Sequence, residues 1–156
     1  MALRIEVVTE ALPPGFDALR RQADAEGIRN VGALVDRWRS GEARFDGPGE
    51  RLVVARLDGV LVGVGGVNAC PEVAGALRVR RFYVAPSARR GGVARVLAEH
   101  LIARASGHAD LLTCHAGASA AAAPFWEAMG FERAGDRFPG TRITHVAETL
   151  PRRRQN

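Results

Sequence analysis

The chain has 156 residues, 47% of them hydrophobic and 25% charged, with a net charge of +5. That is the size and balance of one globular domain, able to bury its own core without disulfide or metal staples. No apolar run approaches the roughly 20 residues that cross a bilayer, and the opening Met1-Ala2-Leu3-Arg4-Ile5-Glu6-Val7 lacks the basic, apolar and small-residue blocks of a leader. A membrane role is therefore not expected, and a cytoplasmic location is.

The two cysteines, Cys70 and Cys114, make neither a disulfide framework nor a Cys-x-x-Cys zinc pair. Cys114 is followed by His115, but neighbours on a strand point to opposite faces, so no metal site is expected there. The basic run Arg152-Arg153-Arg154 has no interleaved aromatics. It reads as a solvated tail over 151–156 in preference to a nucleic-acid surface. The remaining positive excess suits a polyanionic small molecule.

In chain order, Leu3 to Thr9 alternates apolar and polar residues and predicts a strand. Pro13-Pro14-Gly15 turns the chain, and Phe16 to Glu26 has helical spacing with Gly27 as a stop. Asn30 is placed to cap a second helix reaching about Arg39. Leu52 to Leu57 and Val60 to Asn68 read as strands joined through Asp58-Gly59, a hairpin turn. Gly63, Gly65 and Gly66 in the second strand imply close backbone packing or a bulge. Ala76 to Val84 alternates, with Leu77, Val79, Arg81 and Tyr83 on one side and Arg78, Arg80, Phe82 and Val84 on the other. Pro86-Ser87 stops that strand, and a helix follows from about Gly92 to Ala105. Asp110 to His115 is the next strand. Ser119 is placed to cap a helix over Ala120 to Met129 that ends at Gly130. Arg142 to Leu150 closes the chain as a strand, and Phe131 to Arg137 offers it a partner. This mixed order, without repeats or a long linker, argues for one domain over 1–150 with helices on a central sheet.

The chemistry concentrates in Phe82-Tyr83-Val84-Ala85-Pro86-Ser87-Ala88-Arg89-Arg90-Gly91-Gly92-Val93-Ala94. A strand ends, the chain turns through arginines and glycines, and a helix begins. A helix start presents unpaired amides and a partial positive charge, which suits phosphate. Glycine lets the backbone approach the oxygens, and arginine supplies planar donors. The stretch therefore reads as a pyrophosphate cradle, or else as an ordinary glycine-rich connection. Neither a P-loop nor a dinucleotide-binding glycine fingerprint is present.

Arg89-x-x-Gly92-x-Ala94, preceded by Phe82-Tyr83-Val84-x-Pro86, resembles the coenzyme A motif of the GNAT acetyltransferase superfamily. Ala122-Ala123-Pro124-Phe125-Trp126-Glu127-Ala128-Met129-Gly130-Phe131 is similar to the family's later helix. The resemblance spans Leu3 to Leu150. It implies an α/β fold, with a mixed, mostly antiparallel sheet of about six or seven strands and about four flanking helices. It also implies an acetyl-coenzyme A-dependent N-acetyltransferase. Backbone groups of Phe82 and Val84 would pair with the pantetheine arm. Amides from Arg90 to Ala94, including Gly91, Gly92 and Val93, would hold the pyrophosphate. Tyr83 and Arg89 belong to the same motif, Ser119 stands where the family often has asparagine, and Phe125 and Trp126 would flank the coenzyme. Acetyl would pass directly to a primary amine, of a small molecule or of a protein, in a ternary complex. Dimers are common in such a family, so a homodimer is a further possibility.

Trp126 stands where the family often has a tyrosine acid, and an indole does not give up its proton near neutral pH. The acid is thus unassigned, a water could serve, and a non-catalytic acyl-coenzyme A-binding or regulatory module stays open as the alternative. Candidate bases are His115, Glu72 and Glu148, with His115 preferred as base over the other two because it ends the strand after the cradle helix. A purely structural role for it is also open. Arg78, Arg80 and Arg81 crowd one strand, either to favour an acceptor bearing a carboxylate or to pair with surface acids.

Overall fold

The computed structural model describes residues 2–117 and 119–149. The residues 150–156, including Leu150 of the expected last strand and the basic tail, lie outside the described residues. Its elements are β1 (Leu3–Val8), α1 (Phe16–Ala25), α2 (Asn30–Ser40), β2 (Arg51–Leu57), β3 (Val60–Ala69), β4 (Leu77–Val84), α3 (Val93–Ser106), β5 (Leu111–Cys114), α4 (Ala122–Ala128), β6 (Glu132–Arg133) and β7 (His145–Glu148). A 3-10 turn at Pro86–Ala88 precedes α3.

The strands form one seven-stranded sheet in the order β1-β2-β3-β4-β5-β7-β6. Every pairing is antiparallel except β4 with β5. A parallel pair needs a crossover, and α3 supplies it. The mixed sheet with four helices is the expected architecture. The β2–β3 hairpin turns at Asp58 and Gly59, whose φ of 50° and 86° suit the tight primed turn that matches strand twist.

Helices cover both faces of the sheet. A Cβ at Gly65 would meet Leu101 of α3 and Phe82, whereas one at Gly66 would meet Phe45, just beyond α2, at 2.6 Å. The α3 face closes over Leu97, Ala98 and Leu101, and the other over Leu19, Leu34 and Val35, all buried. Trp38 and Phe45 are core residues of this second layer.

Three local expectations are corrected. Asn30 does not cap α2; it opens the helix, and its Nδ2 donates instead to the Phe82 carbonyl at 2.8 Å. Ser119 does not cap α4 with its side chain: the helix starts later, at Ala122, whose amide donates to the Ser119 carbonyl. The alternation of β4 breaks at Arg81, which sits at φ 57° where β3 shifts register between Val64 and Gly66. This bulge moves Tyr83 to the face of Arg78 and Arg80. It leaves Phe82 against Gly65, on the α3 face.

Candidate active site

The parallel pair β4–β5 is bonded only at Leu77–Leu112 and Arg78–Thr113. Beyond Arg78 the two strands part, and the bulge at Arg81, a feature that bends a strand, lies on the diverging stretch. The fork is a cleft of about 240 Å³ between Arg78, Val79 and Arg80 of β4 and Thr113, Cys114 and His115 at the end of β5. Pro71, Glu72, Arg142 and Ile143 close its rim.

At the far end of β4 the chain turns into α3. Gly92 caps that helix at φ 80°, a left-handed conformation that any side chain would strain. Gly91 has no such constraint: a Cβ there would find only the Ala88 carbonyl at 3.9 Å. The first amides of α3 have no intrahelical acceptor, so they stand open at the positive end of the helix dipole. Val93 itself is fully buried and anchors the helix start in the core. The Arg90 side chain is exposed beside this turn.

Arg89 is engaged elsewhere. Its guanidinium grips Glu26, just past α1, at 2.5 and 2.9 Å, and its Nε donates to the Val84 carbonyl at 3.0 Å. Tyr83 donates its hydroxyl to the same Glu26 carboxylate at 2.6 Å. The Arg89 and Tyr83 hydrogen bonds hold Glu26 below the usual carboxylate range, against the opposing effect of burial. Burial and the Glu26 contact push Tyr83 up to about 12. This clasp braces the cradle against α1. It also commits the Val84 carbonyl, as Asn30 commits that of Phe82. A carbonyl has a second lone pair, so each still has capacity to accept.

His115 lies on the fork wall with an exposed ring. One ring nitrogen, Nδ1, stands 2.8 Å from the Arg142 carbonyl. A carbonyl only accepts, so Nδ1 carries the hydrogen and Nε2 of the neutral ring presents a lone pair. A Cβ at Gly117 would lie 2.7 Å from Nε2, so glycine there leaves that nitrogen room. Glu72 shares the rim, and its carboxylate accepts from the Arg142 amide at 3.1 Å. Glu148 faces Arg137 at 3.9 Å and does not line the fork. Burial pushes the Cys114 thiol up to about 12, which keeps it protonated and unsuited to nucleophilic attack at neutral pH.

Trp126 is buried in an aromatic cluster, with Phe82 and Phe125 at 4.9 Å and Phe131 at 5.3 Å between ring centroids. It packs α4 onto the bulged strand. Phe125 keeps part of its surface and leans on Phe82 at 5.7 Å. One polar contact was not foreseen. His145, only 5% exposed at its side chain, places Nε2 2.9 Å from Glu127 of α4 and Nδ1 2.8 Å from the Thr144 hydroxyl. Glu127 and His145 carry no motif and lie 18 positions apart, so only the tertiary fold joins them. Among the described residues no cluster of three or more potential metal ligands occurs. No described helix is long and apolar enough to span a membrane.

The profile of the acetyltransferase (GNAT) domain matches residues 19–148. The chain belongs to the GNAT acetyltransferase family, and so to the acyltransferases. No curated protein is a significant match. Among solved structures, a proposed acetyltransferase from Exiguobacterium sp. 255-15 is similar at 26% identity and a TM-score of 0.83, over 96% of this chain and 95% of that one. A GNAT family N-acetyltransferase from Escherichia coli, YhbS, in complex with CoA, shares the fold at 17% identity and TM-score 0.66, over 94% and 81% of the two chains. N-acetylglutamate synthase from Neisseria gonorrhoeae, complexed with coenzyme A and N-acetyl-glutamate, has the same TM-score of 0.66 at 20% identity, over 96% of this chain and 35% of that one.

Proposed function

We propose that the chain is an acetyl-coenzyme A-dependent N-acetyltransferase whose acceptor is a primary amine. The observation that carries this reading is the left-handed Gly92 turn opening α3 beside the strand that forks from β5. A cradle that a Cβ would strain and a cleft of the right kind lie at the two ends of one short strand segment. The amides from Arg90 to Ala94 suit a pyrophosphate, that of Gly91 by giving up its long 3.4 Å bond to the Ala88 carbonyl, with Arg90 as the exposed cation beside them. Phe82 and Val84 would meet the pantetheine arm, and Phe125 would cover it. The bound coenzyme supplies an acetyl thioester, an activated acyl group that an unprotonated amine can attack. His115 is the residue to unprotonate it, taking the proton at Nε2 while the Arg142 carbonyl holds the ring. Tyr83 is a poor acid, since its hydroxyl donates its hydrogen bond to Glu26 and is raised to about 12. The departing thiolate is stable enough to take its proton from water.

The buried position of Trp126 keeps a second reading in view, a non-catalytic acyl-coenzyme A-binding module. Calorimetric titration with acetyl-coenzyme A, followed by thiol release with a panel of amines, separates the two. Amine-dependent thiol release supports the transferase, and binding without turnover supports the module. His115→Gln should lower kcat about 100-fold, within the usual range for a general base, and leave coenzyme affinity unchanged. A fully active variant removes His115 from the mechanism.

A further inference from the structure

Arg80 is half-buried on the fork wall, yet its guanidinium has no hydrogen-bond or ion-pair partner among the described residues. Its surroundings are cationic: Arg81, Arg78, Arg37 and Arg142 all act on it with the same sign of charge. Burial first, and these neighbours second, lower its guanidinium to about 10, so it is still charged at neutral pH. Arg78 hydrogen-bonds only the neutral Asn68 side chain, at 3.1 Å, and feels the attraction of Glu72 across the rim. Arg142 is exposed on the rim. The sole acid lining the fork is Glu72, one carboxylate against three guanidiniums. Like charges held together and partly withdrawn from water destabilise the fold unless an anion sits among them. Guanidinium is the group best matched to a planar carboxylate or a phosphate. The pairing with surface acids that the sequence left open for these arginines is not what Arg80 does.

We propose that the fork admits an acceptor carrying an acidic group beside its amine, and that Arg80, with Arg78 and Arg142, seats that group. This rests on the transferase reading of the same site. The cleft of about 240 Å³ has room for the acidic and amine ends of a small acceptor. The acid at Arg80 and the amine near His115 would then occupy opposite walls of the fork. An amino acid of ordinary size meets both requirements, and so does a short aminoalkyl phosphate.

The test compares acceptors that differ only in the acidic group: amino acids against their α-amides, and ethanolamine phosphate against ethanolamine. Thiol release gives kcat/KM for each, in the wild type and in Arg80→Gln and Arg142→Gln. Calorimetry of the N-acetylated acids and their amides gives binding that does not depend on turnover. The wild type should prefer the acid by about tenfold or more, as a site built around a polar group does. Arg80→Gln should bring the paired acceptors close to parity and leave the coenzyme affinity as it was. The carboxylate and phosphate pairs tell which acid is read. Arg142 is exposed, so its variant covers the case in which Arg80→Gln does not fold. Equal kcat/KM for acids and amides in the wild type overturns the acidic acceptor and leaves the transferase standing. Acids that bind but never turn over do the reverse. A preference that survives in both variants also overturns the assignment, because the arginines would then not be its source.

Discussion

At the scale of single residues, the cradle separates two adjacent glycines by backbone conformation. Gly92 has φ 80° and Gly91 does not share that region. Gly92→Val should therefore cost about 1–2 kcal/mol of stability, the left-handed penalty for an L-residue. The strained turn should also lose most of its affinity for coenzyme A. Gly91→Ala has open space and ordinary φ, so both quantities should stay near the wild type. Thermal unfolding and calorimetry check the pair; equal behaviour of the two variants would mean that the turn's conformation does not make the site. Gly92 was legible in the sequence because glycine is the residue that a left-handed helix cap requires, and the motif places it. The partner of Arg89 was not legible. Glu26 lies 63 positions away, and nothing local tells an arginine aimed at a phosphate from one clasped by a distant carboxylate. Strand order alone set His115 at the strand end, whereas His145 acquired its contact only from Glu127 on another element.

Among the elements, β3 and β4 decide where the cleft opens. The glycines of β3 are spaces that neighbouring rings occupy: Phe82 fills the one at Gly65, and the buried Phe45 fills the one at Gly66. Gly66→Ala would set a Cβ 2.6 Å from the Phe45 ring. Phe45 itself sits at φ 56°, in a loop with little freedom to retreat. Overpacking of this kind costs about 1–3 kcal/mol, and each kcal/mol lowers the melting temperature by roughly 2–4 °C at this chain length. A variant that melts with the wild type would mean that Phe45 yields without cost. Close packing was legible from three glycines in one apolar strand. A bulge was the other reading of those glycines, but its place on β4 was not legible, because Arg81 carries no composition signal for positive φ. Alternation across Leu77 to Val84 reads as an unbroken strand until β3 is laid beside it. Ser119 misled for a related reason: a good capping residue caps only where the helix starts, and α4 starts at Ala122.

For the whole molecule, the clasp of Glu26, Tyr83 and Arg89 ties α1 to the end of β4 and to the cradle, elements that are far apart in the chain. Glu26 is held below its ordinary value in the folded state, mainly by the hydrogen bonds from Arg89 and then from Tyr83. Glu127 is lowered too, first by its bond to His145. In the unfolded chain both carboxyls titrate near about 4.3. A lowered folded value means that the unfolded state takes up protons first as the pH falls. The stability these groups contribute is thus complete above about pH 5, declines as the pH drops through the unfolded value, and is gone below the folded one. The share of the melting temperature owed to these two carboxyls should be level from about pH 7 to 5 and then fall. In Glu26→Gln the melting temperature should start lower at neutral pH, because Arg89 and Tyr83 lose a charged acceptor, and it should fall less on acidification. The two curves should converge as the pH falls through the lowered folded value of Glu26, where the wild-type carboxyl itself becomes neutral. Melting curves that stay parallel across that window would show that the clasp holds no stability of its own, and that α1 is fixed to the cradle by its buried face alone.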